Sequence, residues 1–128
     1  MNPISEAQNV LVGMEVLADW LGEGGLPVPD YMANERAQSC VGCTMNRAPK
    51  WWETAKDLAA QTIRLELEAR HTMKISSPFD ESLGMCAACG CCMRLKIHVP
   101  ISHIRDHTTP ETLAKFPSHC WQRHELTS

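Results

Sequence analysis

Cys86-Ala87-Ala88-Cys89-Gly90-Cys91 decides how this chain folds. Three cysteines within six residues, two of them spaced as Cys-x-x-Cys, bring sulfurs to one side of a tight loop whose backbone N–H groups face them. That geometry suits a soft cation that prefers thiolates. A second such turn, Cys40-Val41-Gly42-Cys43, lies upstream, and Cys120 stands beside Trp121 near the end. Six of the seven cysteines therefore fall into metal-ligand spacing. The odd total prevents complete disulfide pairing, and clustered cysteines in a reducing compartment are metal ligands more often than disulfides.

The six candidates, Cys40, Cys43, Cys86, Cys89, Cys91 and Cys120, exceed the four thiolates that tetrahedral zinc takes. Three arrangements follow. One zinc uses four of them, for example Cys40, Cys43, Cys86 and Cys89, with Cys91 and Cys120 structural. Two zinc ions share bridging thiolates among all six. An iron–sulfur cluster takes four, Cys-x-x-Cys-x-Cys plus a distant cysteine being an acceptable ligand pattern. Cys92, next to Cys91, points away in an extended segment and reads as a packing residue.

Around these turns the chain reads as mainly α-helical. Ser5 caps an amphipathic helix through Ala7, Val10, Leu11, Met14, Leu17, Ala18 and Leu21, ended by Gly22, Gly24, Gly25, Pro27 and Pro29. This divides the chain into an acidic helix with its Gly/Pro loop, residues 1–29, and a metal-binding helical domain, residues 30–128. A short helix from about Tyr31 to Gln38 leads to Cys40. From Pro49 to about Lys74 nothing breaks helical periodicity: Trp51, Ala55, Leu58, Thr62, Leu65, Ala69 and Thr72 alternate steps of four and three. About 25 residues at 1.5 Å rise give a central rod of roughly 38 Å. Its stripe is expected to pack on the first helix and the metal region, with a partner helix as the other use. Met93 to Val99 alternates apolar and polar, the period of a short strand, closed by Pro100. Thr109-Pro110-Glu111 starts another short helix that Pro117 stops before Cys120.

The chain has 128 residues and a formal net charge of −3, unevenly spread. Residues 1–35 carry Glu6, Glu15, Asp19, Glu23, Asp30 and Glu35 with no Lys or Arg. Arg94, Lys96, His98, Arg105 and Arg123 could form a small basic face, but they fall short of the dense cationic surface that phosphate binding needs. The start lacks a basic region followed by an apolar stretch, and no window approaches a membrane span, so a setting inside a cell or virion, without a secretion signal, is expected.

Signals for catalysis are weak. Neither Cys turn sits in the βαβ setting of a thiol-exchange centre, and a thiolate-rich closed site is usually structural. No glycine-rich phosphate loop or nucleophile elbow occurs. His103 and His107 share a helical face at i, i+4, but without a Glu that completes a metalloprotease signature they read as surface or capping groups. His119, beside Cys120, is the one histidine kept as a substitute ligand.

Cys86-x-x-Cys89-Gly90-Cys91-x-x-x-x-Lys96, Val99-Pro100 and Cys120-Trp121, with Arg36, Cys40-x-x-Cys43-x-x-Asn46 and Trp51-Trp52 upstream, resemble a pattern in small cysteine-rich proteins of bacteriophages and prophages. The resemblance covers about residues 36–121, and the family more often has another residue where Cys92 stands. It implies a viral setting and a metal-held fold, and it carries no reaction. The expectation is a small metal-stapled helical domain, non-enzymatic, acting as a phage structural or adaptor protein such as a minor tail or baseplate component. Its partners are then other proteins of a viral assembly and its cofactor zinc. Two rivals remain: a nucleic-acid-associated or host-inhibiting regulatory zinc module, and an iron–sulfur redox protein.

Overall fold

The computed structural model describes residues 15–128; the Ser5 cap and the part of the amphipathic helix expected over 1–14 lie outside the described residues. Among them the fold is mainly helical. Helix α1 covers 15–22, α2 Asp30–Val41 and α3 Thr54–His71, the last entered through a 3₁₀ turn, Trp51–Glu53. Four short helices follow: α4 Met93–Lys96, α5 Ile101–Asp106, α6 Pro110–Lys115 and α7 Trp121–Leu126. One two-stranded antiparallel sheet joins β1, Asn46–Arg47, to β2, Met85–Cys86, with Asn46 opposite Cys86. No described helix is long and apolar enough to cross a membrane.

The expected rod is present and ends where Thr72 takes a left-handed conformation (φ 52°) and its N–H returns to Glu68. The Glu68 carboxylate also accepts from the Ile75 N–H at 2.8 Å, which closes the helix end. The Thr-Pro cap of α6 forms as its sequence specifies: Thr109 Oγ1 accepts from Thr112 N at 3.2 Å.

The stripe expected to pack inward faces outward instead. Glu53, Ala60 and Leu67, seven residues apart, form the buried line of the rod, whereas Trp51, Ala55, Leu58, Thr62, Leu65, Ala69 and Thr72 are all exposed. At the far end of that line Leu67 packs closely on the Gly25 backbone, where a Cβ would meet Leu67 Cδ2 at 2.4 Å, whereas Ala60 borders an apolar pocket shared with Val16, Leu17 and Leu21 of α1. Trp51 and Trp52 stand outside, edge to face at 5.7 Å. Trp20 and Trp121 are the buried indoles.

Met93–Val99 is a second correction. It forms α4 and the turn after it, not a strand, and both faces are buried: Leu95, Ile97 and Val99, but also Lys96 and His98. The polar half of the alternation thus points into the protein, where Lys96 has the cysteines beside it and the His98 carbonyl accepts from Val28 N at 2.9 Å.

One buried cation ties the short helices together. Arg36 of α2 is 2% exposed. Its Nη1 donates to the Ile97 and Val99 carbonyls at 3.0 and 2.8 Å. Nε and Nη2 grip the Glu125 carboxylate at 2.9 and 2.7 Å, and the guanidinium lies 4.4 Å from the Trp121 ring centroid. This bidentate, stacked arrangement is one that arginine makes and lysine does not. Through it α2, the turn after α4, and α7 hold a common position.

Candidate metal centre

Each cysteine segment is shaped locally before it meets the others. Cys40 sits in the last turn of α2, Gly42 follows, and the Cys43 N–H returns to the Cys40 carbonyl at 3.0 Å. The next backbone group, Met45 N, donates to Cys43 Sγ at 3.4 Å. The second loop is closed by Cys86 N to Cys91 O (3.0 Å) and Gly90 N to Cys86 O (2.7 Å). Gly90 stands at φ 72°, a conformation that favours glycine, and Lys56 Nζ donates to its carbonyl. Gly84 lets the two strands close, since a Cβ there would sit 2.0 Å from the Arg47 carbonyl oxygen. Cys120 precedes α7, with its N–H on the Pro117 carbonyl and its carbonyl accepting from His124 N.

Pairing of β1 with β2 brings the first two segments together, and α7 delivers the third. Cys40, Cys43, Cys86 and Cys120 wall a cavity of about 10 Å³, shared with Met45, Asn46, Met93, Phe116, Pro117 and Gln122. That is room for about one water-sized sphere. Cys40, Cys86, Cys89, Cys91 and Cys120 are buried and Cys43 is half-buried; all are free thiols. Two buried N–H groups from α7 point at the sulfurs: Trp121 Nε1 at Cys40 Sγ (3.2 Å) and Gln122 Nε2 at Cys89 Sγ (3.7 Å). The Gln122 carbonyl oxygen, on the residue that walls the same cavity, is buried without a hydrogen-bond partner.

Electrostatics divide the thiols by role. Hydrogen bonds from Cys86 and Cys91 hold the Cys89 thiol well below its ordinary range, with Lys96 and Gln122 adding to the effect against burial. Cys86 and Cys91, the donors in those bonds, are correspondingly raised. Burial pushes Cys40 up to about 12 and is aided by the neighbouring Cys120, Cys43 and Cys89, while the Trp121 N–H works the other way. Burial raises Cys120 as well. Lys96 is 5% exposed, and burial opposes its charge, yet Cys89, Cys91 and Cys86 keep its ammonium above the ordinary lysine range. A buried cation against several sulfurs is the counter-charge that a dianionic tetrathiolate needs.

Neighbouring sulfurs pair, Cys89 with Cys86 and with Cys91, but no three of the described sulfurs close to within 4.8 Å of one another. Four thiolates on one zinc, bonded at about 2.3 Å, lie about 3.8 Å apart. Among the described residues, the group of three or more His, Cys, Asp or Glu donors that closes to within 4.8 Å is Asp19, Glu23 and His103, not a cysteine set. That group belongs to a seam between α1 and α5. His103 Nδ1 lies 3.2 Å from Asp19 Oδ2, and its Nε2 lies 3.4 Å from Glu23. His107 reaches Glu15 and Asp19, both at 3.5 Å.

Other sequence candidates are placed as follows. Cys92 turns from the cluster and donates to Asp57 Oδ1 at 3.2 Å; burial, then that carboxylate, pushes it up to about 12. Cys91 borders an apolar pocket with Cys92 and Lys96, on the side away from Cys40 and Cys120. His119 is exposed and outside the cavity wall. The basic face does not assemble: Lys96 and His98 are buried, and Arg94 and Arg123 donate to backbone carbonyls of Asp80, Leu83 and Phe116. Sequence reading missed Trp121 and Gln122 as sulfur partners, although Trp121 stands next to a candidate ligand. No family model, curated protein or solved structure matches the chain.

Proposed function

We propose that this chain is a non-enzymatic, metal-stapled helical adaptor of a phage-type protein assembly, with zinc held among Cys40, Cys43, Cys86, Cys89 and Cys120 and with Cys91 at the margin. The observation that carries the metal reading is the ion-sized cavity walled by cysteines from three remote segments. N–H donors on two of the sulfurs, the Lys96 counter-charge and the unpartnered Gln122 oxygen all fit a cation there. When bound, zinc supplies a crosslink whose binding energy becomes folding energy. Cys43, the half-buried member, would be the ligand nearest solvent. The absence of a general base among the residues walling the cavity supports a structural role. The assembly role rests on the resemblance of residues 36–121 to phage proteins.

The surplus of thiols, no three of which lie within 4.8 Å of one another, favours a second reading, an iron–sulfur cluster. Elemental analysis of anaerobically purified protein separates the two. Colourless protein with about one zinc per chain supports the first reading; brown protein with iron and labile sulfide supports the second. Chelation at pH 7 is expected to lower the melting temperature and the far-ultraviolet circular dichroism together. Metal-free protein with both unchanged rejects either metal. Cys43→Ser should weaken metal retention by well over tenfold, more than loss of an outer-shell partner does, whereas Cys92→Ser should keep full content. Equal loss in both variants rejects the ligand set. Sedimentation of the chain with intact particles supports the assembly role, and recovery only in the supernatant opposes it.

A further inference from the structure

The rod's exposed stripe is a heptad seam with an internal size code. Within α3, Ala55, Thr62 and Ala69 occupy one of its two positions and Leu58 and Leu65 the other, with the exposed Trp51 beside them in the 3₁₀ turn before the helix. Both rows are exposed, and the buried line Glu53, Ala60 and Leu67 lies on the opposite side of the helix. A seam repeating every seven residues is the pattern that packs against another helix by knobs into holes.

We propose that the occupant is the same seam of a second copy, running antiparallel across a two-fold axis. Steric complementarity selects it. With Leu58 opposite Thr62 of the second copy, the register within α3 also sets Ala55 against Leu65, and the two-fold repeats each pair. All four layers within α3 then join one large residue to one small one, and Ala69 leaves room at each end for the indole of Trp51. A parallel pairing stacks Ala on Ala and Leu on Leu, so the layers alternate between void and crowding, which costs packing energy. Charge fits the same register. Glu66 falls opposite Trp52 of the second copy, whose ring has the Lys50 ammonium 4.9 Å from its centroid. Glu68 falls opposite Thr54, and Gln61 opposite its own mate, so no like charges meet along the flanks.

The extent is sufficient. The α-helical seam from Ala55 to Ala69 is about 21 Å long at 1.5 Å per residue, and the exposed Trp51 extends it from the 3₁₀ turn. Trp51 is 84% exposed, Leu58 62% and Leu65 60%. With indoles of about 150–250 Å² each, the patch offers roughly 700 Å² per copy, near the 800 Å² per partner of a standard specific interface. The contact is isologous and closes at two.

Sedimentation velocity of the full chain under reducing conditions, from about 5 to 200 µM, tests this. Wild type is expected to shift from monomer to dimer across that range. Leu58→Lys should stay monomeric at 200 µM, at least tenfold weaker in association, with unchanged metal content and circular dichroism. Adding Thr62→Glu to Leu58→Lys restores the dimer, because antiparallel layers pair the introduced charges with opposite signs. A wild-type chain that is monomeric throughout overturns the proposal, as does dimerisation indifferent to Leu58→Lys. A double variant that remains monomeric overturns the antiparallel register. Metal content, read on the same samples, tests the zinc reading separately, since the seam and the sulfurs share no residue.

Discussion

The cysteine end and the α1–α5 seam both join parts of the chain that are remote in sequence, with opposite chemistry. Around the cysteines the contacts are buried and made by soft or stacked groups: the sulfurs, the Trp121 indole and the Arg36 guanidinium. Along the seam they are polar contacts of His103 and His107 with the carboxylates of Glu15, Asp19 and Glu23, with the two glutamates largely exposed. Water competes for the second set and not for the first. Buried polar groups are expensive to orphan, whereas exposed pairs contribute little. The polar contacts at one end are therefore buried and those at the other reach solvent, although α1 also buries Val16 and Trp20 in the core, and substitutions that touch each set of polar contacts measure the contrast.

The largest effect apart from metal loss is expected at Arg36. Arg36→Met keeps the aliphatic length but strands the Glu125 carboxylate and the Ile97 and Val99 carbonyls. Breaking a buried pair of this kind costs about 3–5 kcal/mol. Urea denaturation of the metal-loaded protein reads it directly. Because the guanidinium also stacks on Trp121, whose N–H faces Cys40, the variant should bind metal more weakly as well. A loss below about 1 kcal/mol would mean that α2 and α7 are held mainly by other contacts.

His98 gives the next effect, and it depends on pH. Burial holds its imidazole down to about 4, with Arg36 and Arg64 adding to the effect and Asp30 and Glu68 opposing it; Nε2 has no hydrogen-bond partner. The unfolded chain takes up that proton near pH 6.5, the folded chain only near 4. Between those values the unfolded state binds more protons, so stability falls as pH drops through the window and is fully retained above it. The loss approaches roughly 3 kcal/mol by pH 4. Thiolate ligands also take up protons in acid, so the informative quantity is a difference. His98→Gln removes the histidine share, and its stability measured from pH 7 to 4.5 should decline less steeply than wild type. Parallel curves would place the acid sensitivity elsewhere.

How legible these features were follows from the range of the contacts. The Thr109-Pro110 cap, the rod and both Cys turns are local and could be read from residues a few positions apart. Cys43 and Cys86 meet only through strand pairing, which the cysteine spacing anticipated without naming the strands. Arg36 acts across 61 to 89 residues, and nothing in its own neighbourhood marks it as buried. The Met93–Val99 alternation misled because Lys96 and His98 find places inside, so that segment has no solvent face for a strand pattern to report. The seam of the rod was legible as a period but not as a direction. Seven-residue spacing marks a face that packs, and only the tertiary structure shows that Ala60 and Leu67 fill the inward side.

The smallest effect belongs to the α1–α5 seam. The hydrogen bond from His103 comes first among the influences that hold the Asp19 carboxyl below its usual range, ahead of the charges of His103 and His107, while desolvation opposes them. A carboxylate lowered in this way contributes above its unfolded value and loses that contribution only as pH falls through the folded one, so it stays ionised across the window in which His98 titrates. Asp19→Asn should lower the melting temperature at pH 7 by only ~1–2 °C, and 0.5 M salt should erase most of the difference, because exposed charges are screened at that ionic strength. A larger, salt-insensitive loss would show that Asp19 and His103 form a buried polar link instead. In that case the polar contacts of α1 would behave like the buried ones around the cysteines, and the contrast between the two ends would disappear.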